Sequence, residues 1–277
     1  MTRPISHVVN VGDHAGPLDR GRLAARVRAG EVTVGTFVGA ASPLVAEVCA
    51  AAGCDWLLLD LEHGSGGEEE VRAVVPVAGG YGVPTVVRVE SGERIRAGRV
   101  LDAGAAGVMF PRLEGAPEAH HLIRNLRYPP DGHRGVATYN RMCRFGLDPG
   151  ALDHADDDVL GIVQIESVGA LREVDQLAAL DGVDVLFVGP RDLRRALETS
   201  DRPDAPGYDQ ALDSVLDAAR RHGKAAGILV MTGADAHAFI ARGWRFVAVG
   251  SDATILASAL AAHLADARHD ITSGVRG

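Results

Sequence analysis

Four short segments place acids, bases and cations side by side. "DLEHG" carries Asp60, Glu62 and His63, "VRVE" carries Arg88 and Glu90, "QIES" carries Gln164 and Glu166, and "GPRD" carries Arg191 and Asp192. Glu166 and Asp192 together offer hard oxygen ligands for one divalent ion, leaving positions for water and a chelating 2-oxo acid. The chain has no His-x-x-x-His or Cys-x-x-Cys pair, so magnesium, manganese or cobalt suits the carboxylates better than structural zinc. Asp192, just before Leu193, equally fits a helix cap. Arg88 stands among Val86, Val87 and Val89, a costly place for a cation unless an anion meets it, and its guanidinium can fork onto a carboxylate. His63 follows two acids that would orient its ring for proton transfer. The competing reading is a solvated histidine in a loop that Gly64, Gly66 and Gly67 make mobile.

These segments share a position: each ends an apolar run. The runs are "TVGTFVG" (33–39), "WLLLDLE" (56–62), "PTVVRVE" (84–90), "GVMFPRL" (107–113), "LGIVQIES" (160–167), "VDVLFVGP" (183–190), "KAAGILV" (224–230) and "FVAVGSD" (246–252). Segments with helical spacing separate them, including 43–52, 68–78, 95–103, 117–126, 208–222 and 235–242. Eight strands alternating with helices in a chain of this length predict a (β/α)₈ TIM barrel, whose active site lies where the strands end. Ser42 before Pro43 reads as a helix start, and Gly53 and Gly243 read as helix stops. Residues 14–31 are expected to form an amphipathic helix over the barrel floor, and 128–158 a long connection before the fifth strand. Nothing marks a second domain, so residues 1–277 are expected to be one.

The 277 residues are 47% hydrophobic and 23% charged, enough apolar content for a full core. A net charge of -9 and only 4% aromatic residues argue against nucleic acid as a partner. The longest uncharged stretch, 32–46, is too short and too broken to span a membrane, and residues 1–20 lack the apolar core of a secretion signal. The expected location is the cytoplasm. Cys49, Cys54 and Cys143 show no metal-ligand spacing and are expected to be reduced thiols in or near the core. Lys224 is the single lysine among 28 Lys and Arg residues. It begins a strand, on the wrong end for a Schiff base with substrate.

The ordered series "DWLLLDLEHG", "PTVVRV", "LDAGAAGVMFPRLE", "RYPPDGHRGV", "VQIES" and "VDVLFVGPRDL" resembles the metal-dependent class II pyruvate aldolases of the HpcH/HpaI family over roughly 35–252. The resemblance implies a TIM barrel whose last helix packs on a neighbouring subunit, in a trimer or hexamer. It implies an enzyme that forms or cleaves 4-hydroxy-2-oxo acids from a pyruvate-type enolate and an aldehyde. Carried over by motif, His63 moves the proton, Arg88 binds the oxo acid, and Glu166 and Asp192 hold the metal. Gln164 supports the metal or the substrate carboxylate, Asp60 and Glu62 stand behind these groups, and Asp102 of "LDAG" approaches a neighbouring subunit's histidine. The chain departs from the family pattern at "GPRDLRR", where Arg191 and Arg194 replace a small residue and a serine. Arg191 either meets an anionic acceptor or points to solvent. Oxaloacetate-type decarboxylation and a specialised biosynthetic carbon–carbon bond formation are the alternatives on the same site. A coenzyme A ester lyase lacks a basic loop for its phosphates, and a non-catalytic metabolite-binding barrel would not need all four site residues together.

Overall fold

The computed structural model describes residues 21–202 and 205–273. Its core is a closed barrel of eight parallel strands in sequence order. They are β1 (Thr33–Val38), β2 (Trp56–Asp60), β3 (Thr85–Arg88), β4 (Gly107–Phe110), β5 (Leu160–Ile165), β6 (Val185–Val188), β7 (Ala225–Val230) and β8 (Phe246–Ser251). β8 pairs with β1, and the Asp252 carboxylate reinforces that seam by accepting the N–H groups of Gly39 at 3.0 Å and Ala40 at 2.9 Å.

The alternation of side chains along each strand explains where the site arises. Outward residues such as Leu57, Leu59, Val87, Val163, Ile165 and Leu186 pack under the helices. Inward residues start apolar at the N-terminal ends of the strands, with Trp56, Leu58, Val86, Leu160, Ile162 and Phe187 in one buried cluster. Two residues further along the same inward rows stand Asp60, Arg88 and Gln164, all buried. The same period that fills the core thus delivers charge to the C-terminal mouth.

The floor is closed by the helix Gly21–Arg28, whose Leu23, Ala24 and Val27 pack into the inner cluster. Burial of Leu23 or Val27 is worth roughly 2 kcal/mol. Arg28 clamps this helix to the start of β6 through Asp184, at 2.8 Å and 3.2 Å. Above it Trp56 stacks on Phe246 with ring centroids 4.0 Å apart. The floor helix expected over 14–31 is therefore present from Gly21, and residues 14–20 lie outside the described part.

Several local expectations need revision. Ser42 has the extended backbone of a helix start before Pro43 but its side chain makes no capping bond. Gly53 and Gly243 do take the left-handed backbone, at φ 94° and 112°, that ends their helices. The 128–158 connection is not irregular throughout: it holds short helical turns at Arg144–Gly146, Pro149–Leu152 and Ala155–Asp158. It also has its own small core of Met142, Cys143 and Ala155. The last helix, Asp252–Ser273, leaves the barrel with Leu256, Leu260 and Leu264 exposed along one face. Among the described residues no helix is long and apolar enough to cross a membrane.

Candidate active site

Arg88 is the hub. The residue ends β3 only 8% exposed, and its Nε and Nη2 donate to the two Asp60 oxygens at 2.9 Å and 2.6 Å. The fork expected to meet a substrate carboxylate is thus occupied by Asp60, at the end of neighbouring β2. Nη1 remains, 3.4 Å from Gln164 Oε1 and 3.0 Å from Glu62 Oε2. The Glu62 oxygen lies off the line of the N–H bonds and has no hydrogen-bond donor, so it contributes charge alone. The Arg88 guanidinium also sits 5.4 Å over the Phe37 ring.

Asp60 does more than pair. Its Oδ1 accepts the backbone N–H groups of Glu62 at 3.0 Å and His63 at 3.3 Å, which shapes the turn carrying both. Burial opposes an ionised Asp60, but the Arg88 hydrogen bonds and charge, with the two N–H groups, outweigh it and hold the carboxyl below its ordinary range. Glycine in this turn serves close packing, not mobility. A Cβ on Gly64 would lie 2.1 Å from the Asp60 carbonyl oxygen, and one on Gly66 would lie 2.5 Å from Ala41 Cβ. The turn is pinned, and it leaves the His63 side chain 66% exposed at the pocket rim with Nε2 3.9 Å from Glu62 Oε1.

Glu166 follows β5 and is buried. Its Oε1 accepts the Arg112 N–H at 2.6 Å, and its Oε2 accepts from Gln164 Nε2 at 3.1 Å. Gln164 therefore bridges the cation and the acid, its oxygen toward Arg88 and its amide toward Glu166. Arg112 delivers its N–H from the left-handed region at φ 58°, a conformation costing a non-glycine residue about 1 kcal/mol. Gly189 makes the room: a Cβ there would meet Glu166 Oε2 at 2.4 Å. Burial is the main cause pushing the Glu166 carboxyl up. The Arg112 N–H works against it, while the charges of Asp192 and Glu62 add to the rise.

Asp192 lies in the first turn of the helix Pro190–Glu198, exposed, and makes no cap bond, since Gly189 occupies the cap position. A carboxylate raised by burial beside two other acids, one of which, Asp192, lines the pocket, is a donor set that fits a hard divalent cation. Among the described residues no three His, Cys, Asp or Glu side chains are grouped to hold a metal. The chain itself would supply two ligands, the open shell found where substrate and water complete a magnesium-type site.

The pocket above these groups has a volume of about 660 Å³. Asp60, Arg88 and Gln164 line its floor, His63, Asp192 and Arg191 its sides. Six of the nine site residues chosen from the sequence line this pocket, and Glu166 and Glu62 stand beside it, bonded to Gln164 and ion-paired with Arg88 respectively. Asp102 is the exception: it ends the helix Arg94–Asp102 and pairs with the buried Arg134 at 3.0 Å. Glu90 is held by Arg96 at 2.7 Å instead of facing the pocket. The sequence reading missed Arg195 and Tyr208, which also line it. The signal for Arg195 was available in "DLRR", one turn after Asp192. Lys224 precedes β7 and reaches the Leu180 carbonyl, far from the mouth. Cys54, its thiol pushed up to about 11 chiefly by burial, is no nucleophile.

The chain matches the HpcH/HpaI aldolase/citrate lyase family over residues 33–259. It is 36% identical over 240 residues to a hydroxypyruvate/pyruvate aldolase of Pseudomonas aeruginosa, covering 86% of this chain and 90% of that one. It is also 36% identical to a 5-keto-4-deoxy-D-glucarate aldolase of Enterobacter sp. (strain 638), covering 86% and 93%. A solved HpcH/HpaI aldolase/citrate lyase family protein from Burkholderia cenocepacia J2315 superposes with a TM-score of 0.84 at 36% identity, covering 90% and 99%. Barrel, charged mouth and whole-length relatives agree: the chain is a carbon–carbon lyase and belongs to the HpcH/HpaI aldolase/citrate lyase family.

Proposed function

We propose that this lyase forms or cleaves 4-hydroxy-2-oxo acids, joining a pyruvate-type enolate to an aldehyde. The observation that carries the reading is Arg88, locked onto Asp60 with Nη1 left beside Gln164 at the floor of an open pocket. Glu166 and Asp192 would hold a divalent cation, magnesium, manganese or cobalt, and a cation there supplies Lewis-acid polarisation of a keto oxygen. Arg88 Nη1 and the Gln164 amide orient the oxo acid and stabilise negative charge developing on its enolate oxygen. Asp60 keeps the guanidinium rigid, so the dipoles are aimed before reaction. His63, on the solvent side, takes the C4 hydroxyl proton in cleavage and returns it in synthesis, with Glu62 orienting the ring. The names of the aldolase relatives, both acting on oxo acids, support this chemistry.

The site works in an oligomer, a trimer or hexamer. Leu256, Leu260 and Leu264 form an exposed apolar stripe on the last helix, and Leu44 and Val48 form another on the helix Pro43–Ala51. Stripes of this kind on a lone chain call for a second copy. Asp102 is then available to a neighbouring subunit.

The test is a screen of pyruvate with an aldehyde panel, with and without each of the three metals. Metal-dependent aldol formation is expected. Turnover indifferent to chelator, or carbon dioxide release from oxaloacetate with no aldol product, would contradict the reading.

A further inference from the structure

The helix Pro190–Glu198 does more than carry Asp192. Arg191, Arg194 and Arg195 all line the pocket, together with Glu198 and Tyr208. Their spacing of three and four residues puts three guanidinium groups on one helical face. Among the described residues none of the three is in an ion pair, whereas Arg88, Arg96 and Arg134 all are. Three positive charges thus share this wall of the pocket with two carboxylates, Asp192 and Glu198, a net positive patch in a chain whose net charge is -9. Arg194 is preset, its guanidinium 3.9 Å over the Tyr208 ring. Stacking and a hydrogen bond to the Tyr208 hydroxyl hold the group in place, and its remaining N–H groups can donate to oxygens.

These arginines are exposed at the mouth, while Arg88, Asp60 and Gln164 are buried at the floor of the same pocket. Its volume of about 660 Å³ lies within the roughly 300–1,000 Å³ that holds drug-sized ligands. A three-carbon oxo acid on the floor leaves the outer part for the second reactant. A carboxylate there offers two oxygens, enough for one guanidinium fork. A phosphate monoester offers three oxygens and a charge of about -1.5 to -2, enough to engage all three arginines.

Resting on the aldolase reading above, we propose that Arg191, Arg194 and Arg195 form a receptor for a phosphate monoester on the acceptor aldehyde, and so set which aldehydes this enzyme takes.

The test compares matched acceptors with pyruvate: glyceraldehyde 3-phosphate against glyceraldehyde, and glyoxylate against glycolaldehyde. In the wild type kcat/KM is expected to favour the phosphorylated aldehyde by about a hundredfold, mostly through KM, with the advantage shrinking as salt is raised. In the R191Q/R194Q/R195Q variant the phosphate-to-neutral ratio should fall to within about threefold of unity. The single variants should show graded losses, so the result does not depend on the triple variant folding. A wild-type ratio near one, a ratio unchanged in the variants, or a larger gain for glyoxylate than for the phosphate would overturn the proposal. Exchange of pyruvate methyl protons in deuterated water separates the two levels. Exchange without phosphate preference defeats the arginine receptor alone, whereas a wild type showing neither exchange nor aldol formation defeats the lyase reading and this inference with it.

Discussion

The two ends of the barrel use the same device for opposite purposes. At the floor, Arg28 pairs with Asp184 across the plug and donates to the carbonyls of Asp157 and Val159, and Asp184 also accepts the Gly161 N–H at 3.0 Å, so the paired groups are satisfied by hydrogen bonds, with the Asp157 and Asp158 charges nearby. At the mouth, Arg88 pairs with Asp60, but Glu62 and Glu166 crowd the same cation and Asp192 adds its charge to Glu166. One buried cation there faces three carboxylates, and a fourth stands beside the last of them. The balanced pair closes the structure. The unbalanced cluster holds electrostatic work in reserve for a ligand, which is why stability and chemistry separate to opposite ends of this fold.

Disturbing the unbalanced end should abolish function and spare folding. Glu166→Gln or Asp192→Asn is expected to eliminate metal-dependent turnover, with calorimetric titration showing loss of cation binding and circular dichroism an unchanged melting transition. Normal metal binding in either variant would remove these carboxylates from the site. His63→Ala comes next: aldol cleavage should fall by roughly two to four orders of magnitude, as for a lost general base, while pyruvate methyl exchange survives. Cleavage at the native rate would move the base elsewhere, with Glu62 next in line. Arg88→Lys should cost about a hundredfold in kcat, because an ammonium cannot make both Asp60 bonds and still present Nη1. Native kinetics in that variant would mean the guanidinium geometry is irrelevant. At the balanced end, Asp184→Ala should lower stability by about 2 kcal/mol in urea unfolding and leave kcat within error. A large loss of activity there would erase the distinction between the two ends.

The barrel was legible because its strands are continuous apolar runs, buried on both faces, that end in charge. The carboxylates and His63 were legible for the same reason, each standing at a strand end. What could not be read was who holds whom. Asp60 and Arg88 are 28 residues apart in sequence, and only adjacent strands β2 and β3 in register bring the acid to the guanidinium before any substrate arrives. The glycines of "HGSGG" advertise freedom in sequence, whereas Gly64 against the Asp60 carbonyl and Gly66 against Ala41 allow close packing. The helices Val168–Arg172 and Val174–Ala179 are too short to show a helical period. The stacking of Arg194 on Tyr208 joins two helices that no local spacing relates.

The plug at the floor also has a kinetic meaning. With Leu23, Ala24 and Val27 filling the bottom of the barrel, the site is a cul-de-sac, and whatever binds deepest enters first and leaves last. On the proposed chemistry the aldehyde must depart before the oxo acid in cleavage. Pyruvate should then inhibit competitively against the aldol substrate and the aldehyde noncompetitively. Product-inhibition patterns showing random release would mean that a second exit opens past the helix Gly21–Arg28.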